Sequence, residues 1–381
     1  MAMIESRWQV PLTDVTVDDE LVGAVLETVQ SGWWSMGPRV EEFEREFAAF
    51  CGARHAIAVA NGTAALHLAL LAVGCGPGDE VIVPSLNFVA AANAITNTGA
   101  EAVFCDIVGP EELNLDPVDV QAAVGPKTKA ILVLHYAGFP CALEEIREIA
   151  GRYGLAIVED AAHAVGASWR GRMCGTLGGV GCFSFFANKN LPVGEGGMLV
   201  TDHEELAVHL RLLRSHGMTT LTWDRHRGHA STYDVVLPGF NYRLDEVRAA
   251  IGLVQLGRLP DENASRAGIA ARYRLALDSE PGLTMPFGGR DDERRPSHHL
   301  AVVLLPEGTD RGAVRTALDE RGIQTSVHYP PIHTFTHYHS TEQRPLPQTD
   351  AIAERILTLP LYGRMTDAQV DTVIHGLLAA V

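Results

Sequence analysis

The chain has 381 residues, of which 46% are hydrophobic and 20% charged; it can bury one large core and a smaller one, and it is too apolar to be disordered. The formal net charge of −17 repels nucleic acid and anionic membrane, so neither is an expected partner. The six cysteines show no CxxC spacing, no run is apolar enough to span a membrane, and MAMIESRWQVPL lacks the apolar centre of a signal peptide, which together point to free buried thiols and a cytoplasmic location.

In chain order, residues 18–50 read as two helices around a Gly/Trp turn that carries Trp33, with Val40, Phe43, Phe47 and Phe50 at helical spacing in the second. From residue 55 short apolar strands alternate with helices. His55–Ala60 reads as a strand and Ala64–Ala72 as a helix, followed by Glu80–Pro84 and Val89–Thr98. The strands Ala100–Phe104 and Ala130–Tyr136, the helix Leu143–Tyr153 and the strand Leu155–Val158 continue the pattern. Gly181–Phe185 and Gly197–Thr201 read as paired strands. Residues 218–240 form a long polar loop, and a helix runs from Leu244 to about Leu259. Beyond residue 262 the order becomes helix, strand (His299–Leu305), helix (Arg311–Arg321), strand (Gln324–His328) and a closing helix (Asp367–Val381).

This alternation implies an α/β fold, a three-layer α/β/α large domain with a mostly parallel sheet over residues 1–260, and a small α+β C-terminal domain over 261–381. Sites in such sheets lie beyond the carboxyl ends of the strands. That rule points to Asn61-Gly62-Thr63, Ser85-Leu86-Asn87-Phe88, His135 and Asp160.

Four segments carry chemistry. Gly62-Thr63 opens a helix and presents backbone N–H groups and a hydroxyl to an anion, although Thr63 could simply cap that helix. Asp160 ends an apolar strand, where a carboxylate can keep a pyridinium nitrogen protonated, hold a metal or cap a helix; His163 follows on an Ala-rich stretch. Lys189 stands among apolar and small residues, after Ser184, and only three of the 30 basic residues are lysine. Arginine serves solubility equally well but cannot form a Schiff base, so a lysine retained here points either to amine chemistry or to chance. Gly239-Phe240-Asn241-Tyr242-Arg243 joins the long loop to the long helix, and Asn241 could be no more than that helix's cap. Four histidines between His328 and His339 invite a metal reading, but no carboxylate or cysteine has ligand spacing there, and no metal site is expected.

These segments in this order resemble the nucleotide-sugar aminotransferases, the DegT-like branch of the fold-type-I pyridoxal-phosphate (PLP) enzymes, over essentially the whole chain. The matching stretches are Asn61–Leu70, Pro77–Pro84, Glu159–His163, Ser184-Phe185 with Lys189, Gly194–Gly197 and Gly239–Arg243. The resemblance implies a Schiff base between PLP and Lys189, Asp160 on the pyridine nitrogen, and His163 near the phenolic oxygen. It further implies Phe88 stacked on the ring, and Gly62, Thr63 and Ser184 around the phosphate. Asn241 would reach the cofactor of a second subunit, which implies a homodimer with shared active sites. Trp33, the His216-Gly217 turn, Arg243, His328 and Tyr329 occupy substrate positions. The implied reaction moves an amino group from glutamate or glutamine to a keto-sugar, nucleotide-linked, with pyridoxamine phosphate as the intermediate cofactor form. Members with His in place of the lysine are dehydratases, so Lys189 favours transamination. A sugar dehydratase, a cyclitol-ketone aminotransferase and a PLP-binding sensor remain as alternatives of the same fold.

Overall fold

The computed structural model describes residues 7–220, 223, 226, 228, 231–278, 280–288, 293–340 and 344–381. Helix α1 (Asp19–Gln30) starts where the Asp18 side chain accepts the Leu21 N–H, and α2 (Pro38–Cys51) starts with Pro at its first position, where no N–H is needed. The apolar stripe of α2 packs on the sheet, with the Phe47 ring 5.0 Å from Phe183 and the Phe43 ring 5.4 Å from Phe185.

The central sheet has seven strands: β1 (His55–Val59), β2 (Glu80–Pro84), β3 (Glu101–Cys105), β4 (Thr128–Leu134), β5 (Ala156–Asp160), β6 (Val180–Ser184) and β7 (Gly197–Thr201). Their spatial order is β1-β7-β6-β5-β4-β2-β3. All neighbours are parallel except β7, which is antiparallel to both β1 and β6. Helices α3 (Gly62–Ala72), α4 (Ala90–Asn97), α5 (Pro117–Ala123), α6 (Leu143–Tyr153) and α7 (Glu204–Arg214) accompany these strands. Alternate residues of β4 feed the two faces: Ile131 and Val133 join the core under α2 and α6, while Ala130 and Leu132 join the core under α3, α4 and α7. Both faces are covered, which is why the strands read as continuous apolar runs. All six cysteines are buried and unpaired.

Helix α8 (Glu246–Leu277) is 32 residues long and runs through Pro260. The boundary expected at residue 260 therefore falls inside one helix. Its first half places Ala249, Leu256 and Leu259 in the core of the large sheet. Its second half places Ile269, Tyr273 and Leu277 in a separate core, with β8 (Ala301–Leu304), α9 (Arg311–Asp319), β9 (Ile356–Leu359) and α11 (Asp367–Leu378) around it; α10 (Pro347–Ala353) precedes β9. Val10 is buried in this smaller core, because its backbone pairs with Gly322 and Gln324, so the start of the described chain packs with the C-terminal unit and not with the large one.

Two further expectations are corrected. Gln324–His328 is not a strand; it touches the small sheet through a single bridge between Ser326 and Thr358, and the true partner of β8 is β9. The strand expected from His299 starts at Ala301, which leaves His299 outside the ladder. In the expected loop, Met218 bridges Val235 and the Thr219 N–H donates to the Asp234 carbonyl at 3.0 Å, so its two arms pair. Residues 221, 222, 224, 225, 227, 229 and 230 of that segment lie outside the described residues.

Candidate active site

A cavity of about 450 Å³ opens at the carboxyl ends of β1, β5 and β6. Gly62, Thr63, Phe88, Asp160, His163, Ser184, Lys189, His328 and Tyr329 all line it.

Its floor is built where β1 turns into α3. Asn61 caps this helix, its side chain accepting the Ala64 N–H at 2.8 Å, so Thr63 is not the cap. The Gly62 and Thr63 N–H groups belong to the first turn and have no intrahelical acceptor. A Cβ at Gly62 would stand 2.8 Å from the Ser184 Cβ, so only glycine lets the helix start approach the end of β6 this closely. The result is a pair of N–H groups at a positive helix end beside a hydroxyl, a geometry suited to an anion.

Asp160 ends β5, almost fully buried, its Oδ1 accepting the Ala162 N–H at 3.1 Å. Burial raises its pKa, while the Ala162 N–H, Lys189, His135 and Asn87 oppose the rise. Lys189 sits on a turn after β6, fixed by its N–H to the Phe186 carbonyl at 2.9 Å. Burial lowers its pKa to about 8, and the nearby Asp160 carboxylate only partly offsets this.

His163 is fixed in one tautomer. Its Nδ1 accepts the Ala137 N–H at 3.3 Å, so its Nε2 carries the proton and donates to the Tyr329 hydroxyl at 2.8 Å. Burial, and then the charges of Lys189 and His328, hold it well below the ordinary histidine pKa, so it stays neutral. Tyr329 stands 5.6 Å from the Phe88 ring at the mouth. The segment carrying His328 and Tyr329 is tied down at both ends. The Tyr136 hydroxyl donates to the His328 carbonyl, His328 Nδ1 lies 2.9 Å from Thr358 Oγ1, and His333 lies between Ser85 Oγ at 2.7 Å and Asp350 at 3.1 Å. Burial pushes the pKa of His328 to about 4.

Other expected positions lie elsewhere. His135 is fully buried behind the strand end, its Nε2 2.9 Å from Glu159, and does not reach the cavity. Asn241 is exposed outside it and does not cap α8, since Asp245 does. Arg243 bridges Val59 through its backbone, and its Nη1 is buried without a hydrogen-bond partner among the described residues. Trp33 packs 4.7 Å from Trp223 and 4.6 Å from His226. The His216 N–H donates to the Phe240 carbonyl at 2.8 Å, which anchors the His216-Gly217 turn.

The cavity also contains Asn87, Asn188 and Glu195. Asn87 falls in a segment that the strand-end rule selects and Asn188 precedes Lys189, but nothing in the sequence indicates that Asn87 Nδ2 and Asn188 Oδ1 are buried without partners among the described residues. Unpaired buried polar atoms are rare, and here they face a space large enough for a polar ligand.

The model of the DegT/DnrJ/EryC1/StrS aminotransferase family matches residues 15–378. The spore coat polysaccharide biosynthesis protein SpsC of Bacillus subtilis is 45% identical over 368 residues, 94% of each chain. The aminotransferase TlmJ of Streptoalloteichus hindustanus has a TM-score of 0.91 at 38% identity, over 98% of each chain. Spr1654 of Streptococcus pneumoniae, solved in a PMP form, has a TM-score of 0.91 at 27% identity, covering 98% of this chain and 99% of its own; a PLP form of it is also solved. The chain belongs to the DegT/DnrJ/EryC1/StrS aminotransferase family and is a PLP-dependent sugar aminotransferase.

Proposed function

We propose that the enzyme moves an amino group from glutamate or glutamine to a keto-sugar linked to a nucleotide, working in the cytoplasm as a homodimer. The observation that carries the site assignment is Lys189 and Asp160 on one cavity, with an anion cradle at Gly62, Thr63 and Ser184 on its floor. The residues present fit PLP. The cradle matches a phosphate, the buried Asp160 carboxylate matches a protonated ring nitrogen, and unpaired Asn87 Nδ2 and Asn188 Oδ1 offer further polar contacts.

In this reading Lys189 Nζ would hold the cofactor covalently, Phe88 would cover its ring, and His163 would donate toward its phenolic oxygen through the Nε2–H that meets Tyr329. Bound PLP supplies an electron sink that lets a C–H bond beside nitrogen give up its proton. Asp160 would keep a proton on the ring nitrogen, its buried carboxylate standing at the cavity beside Lys189. Lys189 Nζ would be the base that takes the proton from the donor's carbon; with its pKa pushed down to about 8 it is deprotonated often enough near neutrality for that role. His328, Tyr329, Trp33, the His216-Gly217 turn and Arg243 are the proposed substrate contacts. Asn241 would complete the site of a second subunit. Its exposure away from the cavity supports this, as do the exposed Val22, Leu26 and Trp34, which an association of chains would cover.

The test is the visible spectrum of the PLP-loaded protein with glutamate or glutamine, followed by addition of keto-sugars with and without a nucleotide. Bleaching of the lysine-bound band by either donor, its return with the nucleotide-linked sugar, and weak return with the free sugar are expected. A band that no donor bleaches would overturn the donor assignment, and equal return with the free sugar would overturn the nucleotide linkage.

A further inference from the structure

His299 is nearly buried, lies just before β8, and turns toward the cavity wall, where its Nε2 is 3.5 Å from Lys189 Nζ. Its tautomer can be read from an amide chain behind it. Asn263 Nδ2 donates to the Val165 carbonyl at 3.0 Å, which can only accept, so Asn263 Oδ1 faces Asn190. Asn190 Nδ2 donates to that oxygen and to the Ser297 carbonyl, both at 2.8 Å, so the Asn190 amide is also fixed in one orientation. Asn190 Oδ1 is then the group 3.0 Å from His299 Nδ1. An oxygen cannot donate, so Nδ1 must carry the proton, and the lone pair is left on Nε2, aimed at Lys189.

We infer that His299 is a positioning residue for the catalytic amine, a neutral acceptor locked by Asn190 and Asn263 that receives an N–H of Lys189 Nζ whenever the lysine is free of the cofactor. This rests on the reading of Lys189 as the cofactor-bearing amine. The freed amine sits on a flexible stem, half-buried at the cavity wall. Without a partner it would lose either its orientation or its proton. An acceptor supports the ammonium form, so His299 keeps the amine's proton affinity from falling further under burial. It can do this only if it stays neutral itself. Burial holds its own pKa well below the ordinary value, and the charges of Lys189 and Arg266 push the same way. The groups that face Lys189 are Asp160 from the end of β5, His163 just beyond it, His328 from the C-terminal unit and His299; of these Asp160 alone is an anion.

The inference is tested on the full chain freed of cofactor, by competitive acetylation with trace acetic anhydride across pH 6–11, quantified peptide by peptide. The chain contains only three lysines, so exposed Lys127 and Lys129 serve as internal standards. The Lys189 profile should have its midpoint near 8. H299L should move that midpoint down by about one unit, the scale of a lost hydrogen bond to a charged group. H299Q, which can offer an oxygen at a similar reach, should restore most of it. An unchanged Lys189 midpoint in H299L, with the circular dichroism of the wild type, would overturn the inference, and so would failure of H299Q to recover any of the shift. Failure of the underlying reading would look different: borohydride reduction of the PLP-loaded wild type would leave the label on a peptide other than that of Lys189.

Discussion

Adjacent carboxylates at the end of β5 face opposite sides of the sheet. Glu159 faces the protein interior, has no exposure, and accepts from four donors: the Gly175 and Leu177 N–H groups at 2.7 Å each, the Gly178 N–H, and His135 Nε2–H at 2.9 Å. The His135 tautomer is set by the Cys141 N–H, which donates to Nδ1 at 3.2 Å. Asp160 faces the cavity, where the protein supplies one backbone N–H and the unpaired amide atoms of Asn87 and Asn188 stand nearby. A fully satisfied buried anion holds a fold together, whereas one left short of partners at the edge of a cavity is set up for a ligand. The two regions therefore fail differently when mutated.

The largest effect is expected at Lys189. Lys189→Ala should bring turnover to background and remove covalent PLP, with little change in thermal unfolding of the cofactor-free chain; multiple turnovers by this variant would break the assignment. Asp160→Asn should cost about 100- to 1000-fold in kcat, the scale of losing one group that stabilises developing charge, while stability stays within about 1 kcal/mol. Glu159→Gln should invert that pattern. It turns an NH₂ toward N–H donors in a closed pocket, so urea unfolding should show a loss of about 2–4 kcal/mol, with kcat in the surviving folded enzyme within a few-fold of wild type. If Glu159→Gln lost activity without stability, the contrast between the two faces would collapse.

A smaller effect is expected from pH. Burial disfavours the Lys189 ammonium, so its pKa is depressed to about 8; below that pH the amine already holds a proton and cannot take another. Single-turnover proton transfer should fall about tenfold per unit below pH 8 and level off above it. His328, with its pKa pushed to about 4, and neutral His163 should add no inflection between pH 6 and 9. The smallest effect is expected at Ser85→Ala, which removes the 2.7 Å tie to His333 and should cost about 1 kcal/mol in stability, with a modest rise in substrate KM as the His328-Tyr329 segment loosens.

The strands of the large sheet were legible because both of their faces are buried. Each is a short apolar run bounded by turn residues, and the strand-end rule then leads to Asn61, Gly62, Thr63 and Asp160, whereas Ser184 was implied only by the resemblance. The same rule also selected His135, since a strand end does not reveal which face a side chain takes. Period-two alternation sends Glu159 and Asp160 apart, and His135 goes with Glu159. The C-terminal unit was less legible. Its strand β9 is four residues long with no turn residue marking its start, and the long helix α8 carries Pro260 without stopping, so an expected boundary became the middle of an element shared by two cores.

The order of motifs by itself determined that this is an α/β aminotransferase and singled out Lys189, because lysine is scarce in this chain and the strand–turn–helix rhythm is local chemistry. Only the tertiary structure decided that Asn61 and not Thr63 caps α3, that His299 reaches Lys189 from 110 residues away, and that the Asn190 and Asn263 side chains fix its tautomer. Capping and tautomer choice depend on which donors and acceptors meet in space, and sequence separation carries no record of that.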